Sequence, residues 1–188
     1  MLDLLVNNAG IAGAGHVGDM PLDDWRHVVD VDLWGVVYGC HTMVGWLKQN
    51  PAGAHVVNVA SFAGFAALPE MAAYNVAKAG VIALSETMRT ELAANRVGVT
   101  VVCPGFFPSG LGRLARMRTQ GQRDFMEEMM RDAKFAAADI ASQIATAVAR
   151  NRPYVILPCR ARFFWLFKRL FPRLFLRRIA KLYADRSG

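Results

Sequence analysis

Short, nearly continuous apolar runs alternate along this chain with longer segments in which apolar residues recur every three or four positions. The runs are Leu2-Asp-Leu-Leu-Val6, His55-Val-Val-Asn-Val-Ala60, Val97-Gly-Val-Thr-Val-Val-Cys103 and Tyr154-Val-Ile-Leu157. Brief and rich in β-branched residues, they read as strands covered on both faces of a parallel sheet. From about Ala72 the period changes: Ala77, Val81, Leu84, Met88 and Leu92 fall at helical steps. Leu22 to Asn50 reads as one or two helices, with Asp23 and Asp24 complementing the dipole at its start, and Asp139 to Arg150 as an amphipathic helix. Strands separated by helices predict an α/β fold, a doubly wound parallel sheet of about four strands with helices on both faces. Residues 1–158 carry this pattern, and 159–188 form a tail of different character.

The stretch from Ser61 to Lys78 joins a strand to a helix and carries candidate chemistry. Ser61 falls at the carboxyl end of the second run. Tyr74 and Lys78, four apart on the next helix, lie on one face. A free tyrosine titrates near about 10, too high for efficient proton transfer at neutrality, and a neighbouring ammonium favours the phenolate. The expectation is that Lys78 lowers the Tyr74 pKa while Ser61 donates to a substrate carbonyl oxygen beside the phenol. Alone, a Tyr-x-x-x-Lys pair is weak, and an ordinary half-exposed helix face gives the same spacing.

The company of these residues narrows the reading. Asn7-Asn-Ala-Gly10 follows one strand, Ser61 precedes Tyr74 by 13 positions, and Pro104-Gly105 follows another strand 30 positions after Tyr74. In this order the chain resembles the short-chain dehydrogenase/reductase family from Leu2 to about Pro158. The resemblance implies a Rossmann-like sheet and an NAD- or NADP-dependent oxidoreductase that interconverts an alcohol and a ketone or aldehyde. Ser61, Tyr74 and Lys78 would be catalytic, with Lys78 also holding the nicotinamide ribose. Asn7, Asn8, Ala9, Gly10, Pro104, Gly105, Phe107 and Ser109, with Tyr74 and Lys78, would line the cofactor. Members commonly carry asparagine where Asp32 stands, credited with holding a water that relays protons to the lysine. A carboxylate accepts but cannot donate as an amide does, so Asp32 is either a relay residue of altered chemistry or a cap or kink residue of its helix. A small-molecule carbonyl or alcohol partner and a homo-oligomeric assembly are implied.

Composition then sets bounds. The 188 residues are 54% hydrophobic, enough for a buried core and against disorder. Three cysteines without metal-ligand spacing suit a reducing, cytoplasmic setting, and no metal site is expected. No apolar run reaches the roughly 20 residues of a membrane-crossing helix. Gly13-Ala-Gly15-His-Val-Gly18 matches G-x-G-x-x-G, but Asp19-Met-Pro21 intervenes before the helix, so it reads as a Gly/Ala loop and not as a dinucleotide fingerprint. Phe106 to Phe135 looks irregular and holds four methionines, which fits a lid over an apolar substrate or plain packing.

The net charge of +7 is concentrated in the tail, where nine Lys/Arg face one acid, Asp185; the rest sums to −1. Arg162, Arg169, Arg173 and Arg177 fall along one helical stripe and Phe163, Phe167, Leu170, Phe171 and Leu174 largely along another, with a break expected at Pro172. Such a segment fits peripheral membrane contact, and equally a cover over a substrate pocket or partner subunit. No nucleic-acid-binding module is recognisable. The sequence opens at the strand that begins the second half of the family's fold. The expectation is therefore a partial, N-terminally truncated domain, missing roughly 70 to 90 residues at about 30 or more per βαβ unit. The alternative to an enzyme is an inactive remnant that binds a membrane or a partner through its tail.

Overall fold

The computed structural model describes residues 2–187. The chain begins with β1 (Leu4–Asn7) and the two-residue β2 (Gly13–Ala14), then runs through α1 (Leu22–Val29), a π-helical turn (Asp30–Trp34) and α2 (Gly35–Lys48). Next come β3 (Ala54–Val59), the short α3 (Ala63–Ala66), α4 (Ala72–Glu91), β4 (Val97–Pro104) and β5 (Arg116–Met117). α5 (Gln120–Arg131), α6 (Ala137–Ala149), β6 (Tyr154–Leu157), α7 (Cys159–Leu170) and α8 (Pro172–Ser187) complete it.

Four strands form one parallel sheet in the order β1-β3-β4-β6, as the apolar runs require. Successive side chains of a strand point to opposite faces, and the valines separate accordingly. Val56, Val99 and Val101 pack with Val36, Leu47 and Val81 of α2 and α4. Val57, Val102 and Val155 pack with Ile140 and Ala147 of α6 on the other face. Each fully buried valine contributes about 1.5–3 kcal/mol, so both faces must be covered for these runs to be stable. Because the strands are parallel, Asn7, Val59, Pro104 and Leu157 all end at one edge of the sheet, where open α/β folds bind ligands.

Three expectations change. Gly13-Ala14 is no loose loop: β2 pairs with β5, and Gly13 and Gly15 are buried against Val28 and Met20. The lid region is largely ordered, since α5 runs from Gln120 to Arg131 behind a capping box of Thr119 and Gln122. A threonine followed by glutamine three positions on is a local helix-start signal that the irregular composition of this stretch masked.

The tail departs from its stripe reading. Pro172 does break it, at Phe171 between α7 and α8. The face turned to the body, however, is Ala161, Trp165 and Lys168 on α7 and Phe175, Ile179 and Tyr183 on α8. Phe163, Leu170, Phe171 and Leu174 are exposed, because the groove between α3 and β6 selects the opposite side of the helix.

Candidate active site

Three elements bring the candidate residues together. β3 ends at Val59, and the chain turns so that the Ser61 hydroxyl accepts from the Ala63 amide at 3.1 Å and reaches the Pro104 carbonyl at 3.5 Å. Phe62 N–H donates to that same carbonyl at 2.9 Å, which ties this turn to the end of β4. α4 begins at Ala72, so Tyr74 sits in its first turn and Lys78 one turn on. The Lys78 ammonium lies 5.6 Å from the centre of the Tyr74 ring and donates to the Val59 carbonyl at 3.1 Å. Ser61, Tyr74 and Lys78 are 8%, 6% and 3% exposed.

Asp32 reaches this group from the π-helical turn between α1 and α2. A π turn inserts an extra residue into the helix and reorients the side chains around it. Asp32 is completely buried; Oδ1 accepts from the Ile11 amide at 2.8 Å, and Oδ2 stands 3.8 Å from the Lys78 ammonium with no hydrogen bond of its own. Asp32 thus sits in the π turn with its carboxylate facing the lysine. Gly10 closes the space between them: a Cβ there would lie 3.2 Å from Asp32 Oδ1 and 3.3 Å from Lys78 Nζ.

Burial governs the titration of all three groups. It raises the Asp32 carboxyl against the pull of Lys78, and lowers the Lys78 ammonium against the pull of Asp32. It also raises the Tyr74 phenol well above its ordinary value of 10.0; a hydrogen bond with Ser61 opposes this and the Asp32 charge adds to it. The expectation that Lys78 lowers the Tyr74 pKa is corrected on this point. Desolvation of the phenol sets the direction, while the ammonium faces Asp32 and donates to Val59.

Ser61 and Tyr74 share the wall of a small cavity of about 60 Å³ with Pro104, Gly105, Phe107 and Ser109. The Ser109 hydroxyl also accepts from the Leu111 amide at 3.4 Å, capping a short 3-10 turn. A second cavity of about 510 Å³ adjoins the first and shares Leu68, Met71, Phe106 and Met126 with it. Its far wall is Ile179, Leu182 and Tyr183 of α8. Met117 and Met126 line the larger space and Met130 the smaller, while Met129 is exposed.

At the end of β1, Asn7, Asn8, Ala9 and Gly10 lie on the same sheet edge, but the Asn7 side chain is committed to the fold. Its Nδ2 donates to Asn58 Oδ1 at 2.8 Å, and Asn58 donates on to Ser85 at 3.0 Å. Asn58 passed unremarked in the sequence, although a lone amide within Val-Val-Asn-Val was a signal. Glu70 left none: it accepts from Gln122 at 2.7 Å and from Tyr183 at 2.8 Å, joining α5 and α8 over the larger cavity.

Residues 1–119 match the family model described as short chain dehydrogenase. The chain belongs to the short-chain dehydrogenase/reductase family. It is 35% identical over 170 residues to the 11-beta-hydroxysteroid dehydrogenase-like 4A protein of Arabidopsis thaliana, covering 88% of this chain and 53% of that one. It is 33% identical over 159 residues to the probable oxidoreductase EphD of Mycobacterium tuberculosis, covering 80% of this chain and 27% of that one. The chain thus spans about half or less of the curated relatives it matches here. A short-chain dehydrogenase/reductase from Burkholderia phymatum, solved in complex with NAD, superposes with a TM-score of 0.79 at 29% identity, covering 89% of this chain and 66% of the other. The four-stranded parallel sheet is the part of the family fold that this chain supplies.

Proposed function

We propose that the site reduces the carbonyl of an apolar ketone or aldehyde, and runs the reverse oxidation, with NAD(H) or NADP(H). The observation that carries this reading is the shared cavity wall of Ser61 and Tyr74 above a buried Lys78, at the edge where the parallel strands end. The residues present fit the nicotinamide end of such a cofactor. The buried ammonium has three donors and one hydrogen bond, to Val59, so it retains capacity for a ribose hydroxyl. Asn8, Ala9 and Gly10 on one side and Pro104, Gly105 and Phe107 on the other offer backbone and small surfaces. The complex of the Burkholderia phymatum relative with NAD supports the same choice. When bound, the cofactor supplies or accepts the hydride.

The protein's own groups do the rest. Ser61 directs its hydroxyl to the substrate oxygen and stabilises the charge that develops there. Tyr74 gives that oxygen a proton, which burial keeps on the phenol near neutrality. Lys78 holds positive charge beneath the phenol, and Asp32 fixes the ammonium in place. A volume of about 60 Å³ beside Tyr74 suits a small carbonyl group, and the adjoining 510 Å³ lies within the range of ligand pockets and gives room for an apolar body.

The test is turnover by the whole natural protein with NADH or NADPH and a panel of apolar ketones and aldehydes. Tyr74→Phe should lower the rate by about 10²–10⁴-fold with cofactor binding retained. Full activity of that variant would refute the assignment.

A further inference from the structure

The tail presents two opposed faces, and among the described residues one of them packs on the body. Inward, Trp165 packs on Phe65 and Tyr154, Lys168 donates to the Phe65 carbonyl at 2.6 Å, and Phe175 is buried. Outward, Phe163 and Leu170 are 73% and 68% exposed, and Leu166 between them is exposed as well. These three are spaced three and four apart and so form one strip along α7, with Arg162 and Arg169 on its flank. On α8 the exposed Leu174 stands among Arg173, Arg177, Arg178 and Lys181. Among the described residues, no basic side chain of the tail enters an ion pair.

We infer that this outer face docks α7 and α8, lying flat, on an anionic lipid surface. Charge complementarity selects the occupant. The tail carries +8 and the remainder of the chain −1, so a second copy could offer only another basic tail or a nearly neutral body. An anionic bilayer meets both needs at once: its phosphates face the arginines, and the acyl boundary takes the phenylalanine and leucines. Among the described residues no helix is long and apolar enough to cross a membrane, so the contact is interfacial. Trp165, Phe175 and Tyr183 stay on the body, so docking requires no rearrangement of the fold. The inference stands apart from the proposed reduction, since none of the outward residues touches Ser61, Tyr74 or Lys78.

The experiment is co-sedimentation of the full chain with vesicles of phosphatidylcholine alone and of phosphatidylcholine with phosphatidylglycerol. Binding should require the anionic lipid and collapse near about 1 M salt, where the Debye length is about 3 Å. Arg162→Glu with Arg169→Glu should weaken it at least about thirtyfold, as loss of two basic contacts near such a surface does. Phe163→Ser with Leu170→Ser should weaken binding at low salt while circular dichroism and thermal midpoint stay unchanged, because both side chains point away from the core. Equal binding to neutral vesicles, or no sedimentation with anionic ones, would overturn the inference. So would a dimer in solution that the Phe163→Ser, Leu170→Ser variant dissolves, which would assign the face to a second copy.

Discussion

The Lys78 ammonium and Asp32 Oδ2 stand 3.8 Å apart with both side chains sealed from solvent, joining the π-helical turn after α1 to helix α4. Neither ion is well placed alone, because burial opposes the charged form of each and only the partner offsets it.

Asp32 also accepts the buried Ile11 amide, which separates two substitutions. Asp32→Asn retains an acceptor and should keep the fold. Asp32→Ala leaves that N–H without its acceptor, at a cost of about 1–3 kcal/mol for the orphaned group. Denaturant titration of the two variants checks the order; equal stabilities would deny the bond its role.

The Tyr74 phenol has a folded pKa above its unfolded value near 10.0. Its contribution to stability is therefore complete below about pH 10 and lost as pH rises through the folded value. Wild type should lose stability above pH 10 relative to Tyr74→Phe, with no pH-dependent difference between them near neutrality. In the proposed reaction, alcohol oxidation should still climb at pH 9 to about 10, since it needs the phenolate, while reduction stays flat. An oxidation plateau near pH 7 would contradict the raised phenol.

Phe106 and Met126 line both cavities, as Leu68 and Met71 do. Trimming this shared lining should admit bulkier molecules: Met126→Ala is expected to raise kcat/KM for large apolar ketones relative to small ones. The loss of a buried methionine should cost about 2–5 kcal/mol of stability. Unchanged size preference would show that the larger cavity does not serve the smaller.

Tyr183 donates to Glu70 at 2.8 Å, and Glu70 also holds Gln122 at the start of α5. Tyr183→Phe removes one charge-assisted hydrogen bond at a partly exposed site, about 1 kcal/mol. Amide exchange in α8 should quicken by roughly fivefold while β3 and β4 are unaffected. Uniform change across the chain would point to global destabilisation instead.

Some of this protein was determined by the sequence acting over short range. The runs at Val56 and Val99 had to become strands of a doubly covered sheet, because continuous β-branched stretches have no other way to bury both faces. The spacing of Tyr74 and Lys78 placed them on one helix face, since a helix repeats every 3.6 residues wherever it forms. Ser61 at the end of β3 follows from the same local rules. The Thr119 cap of α5 was equally local in origin, though the irregular composition around it hid the helix.

What lay between elements was decided only by tertiary structure. Nothing near Asp32 in the sequence says that it will face Lys78, 46 positions away; the π turn and the closure by Gly10 set that. The direction of the Tyr74 titration depended on burial, which a neighbour in sequence cannot report. The tail shows the limit most clearly. Its helices were legible, but the buried side was chosen by the groove that received them, so Trp165 and Phe175 went inward and Phe163 and Leu170 stayed out. A helix with apolar residues on more than one side carries no record of which side will be covered, because that depends on the shape it meets.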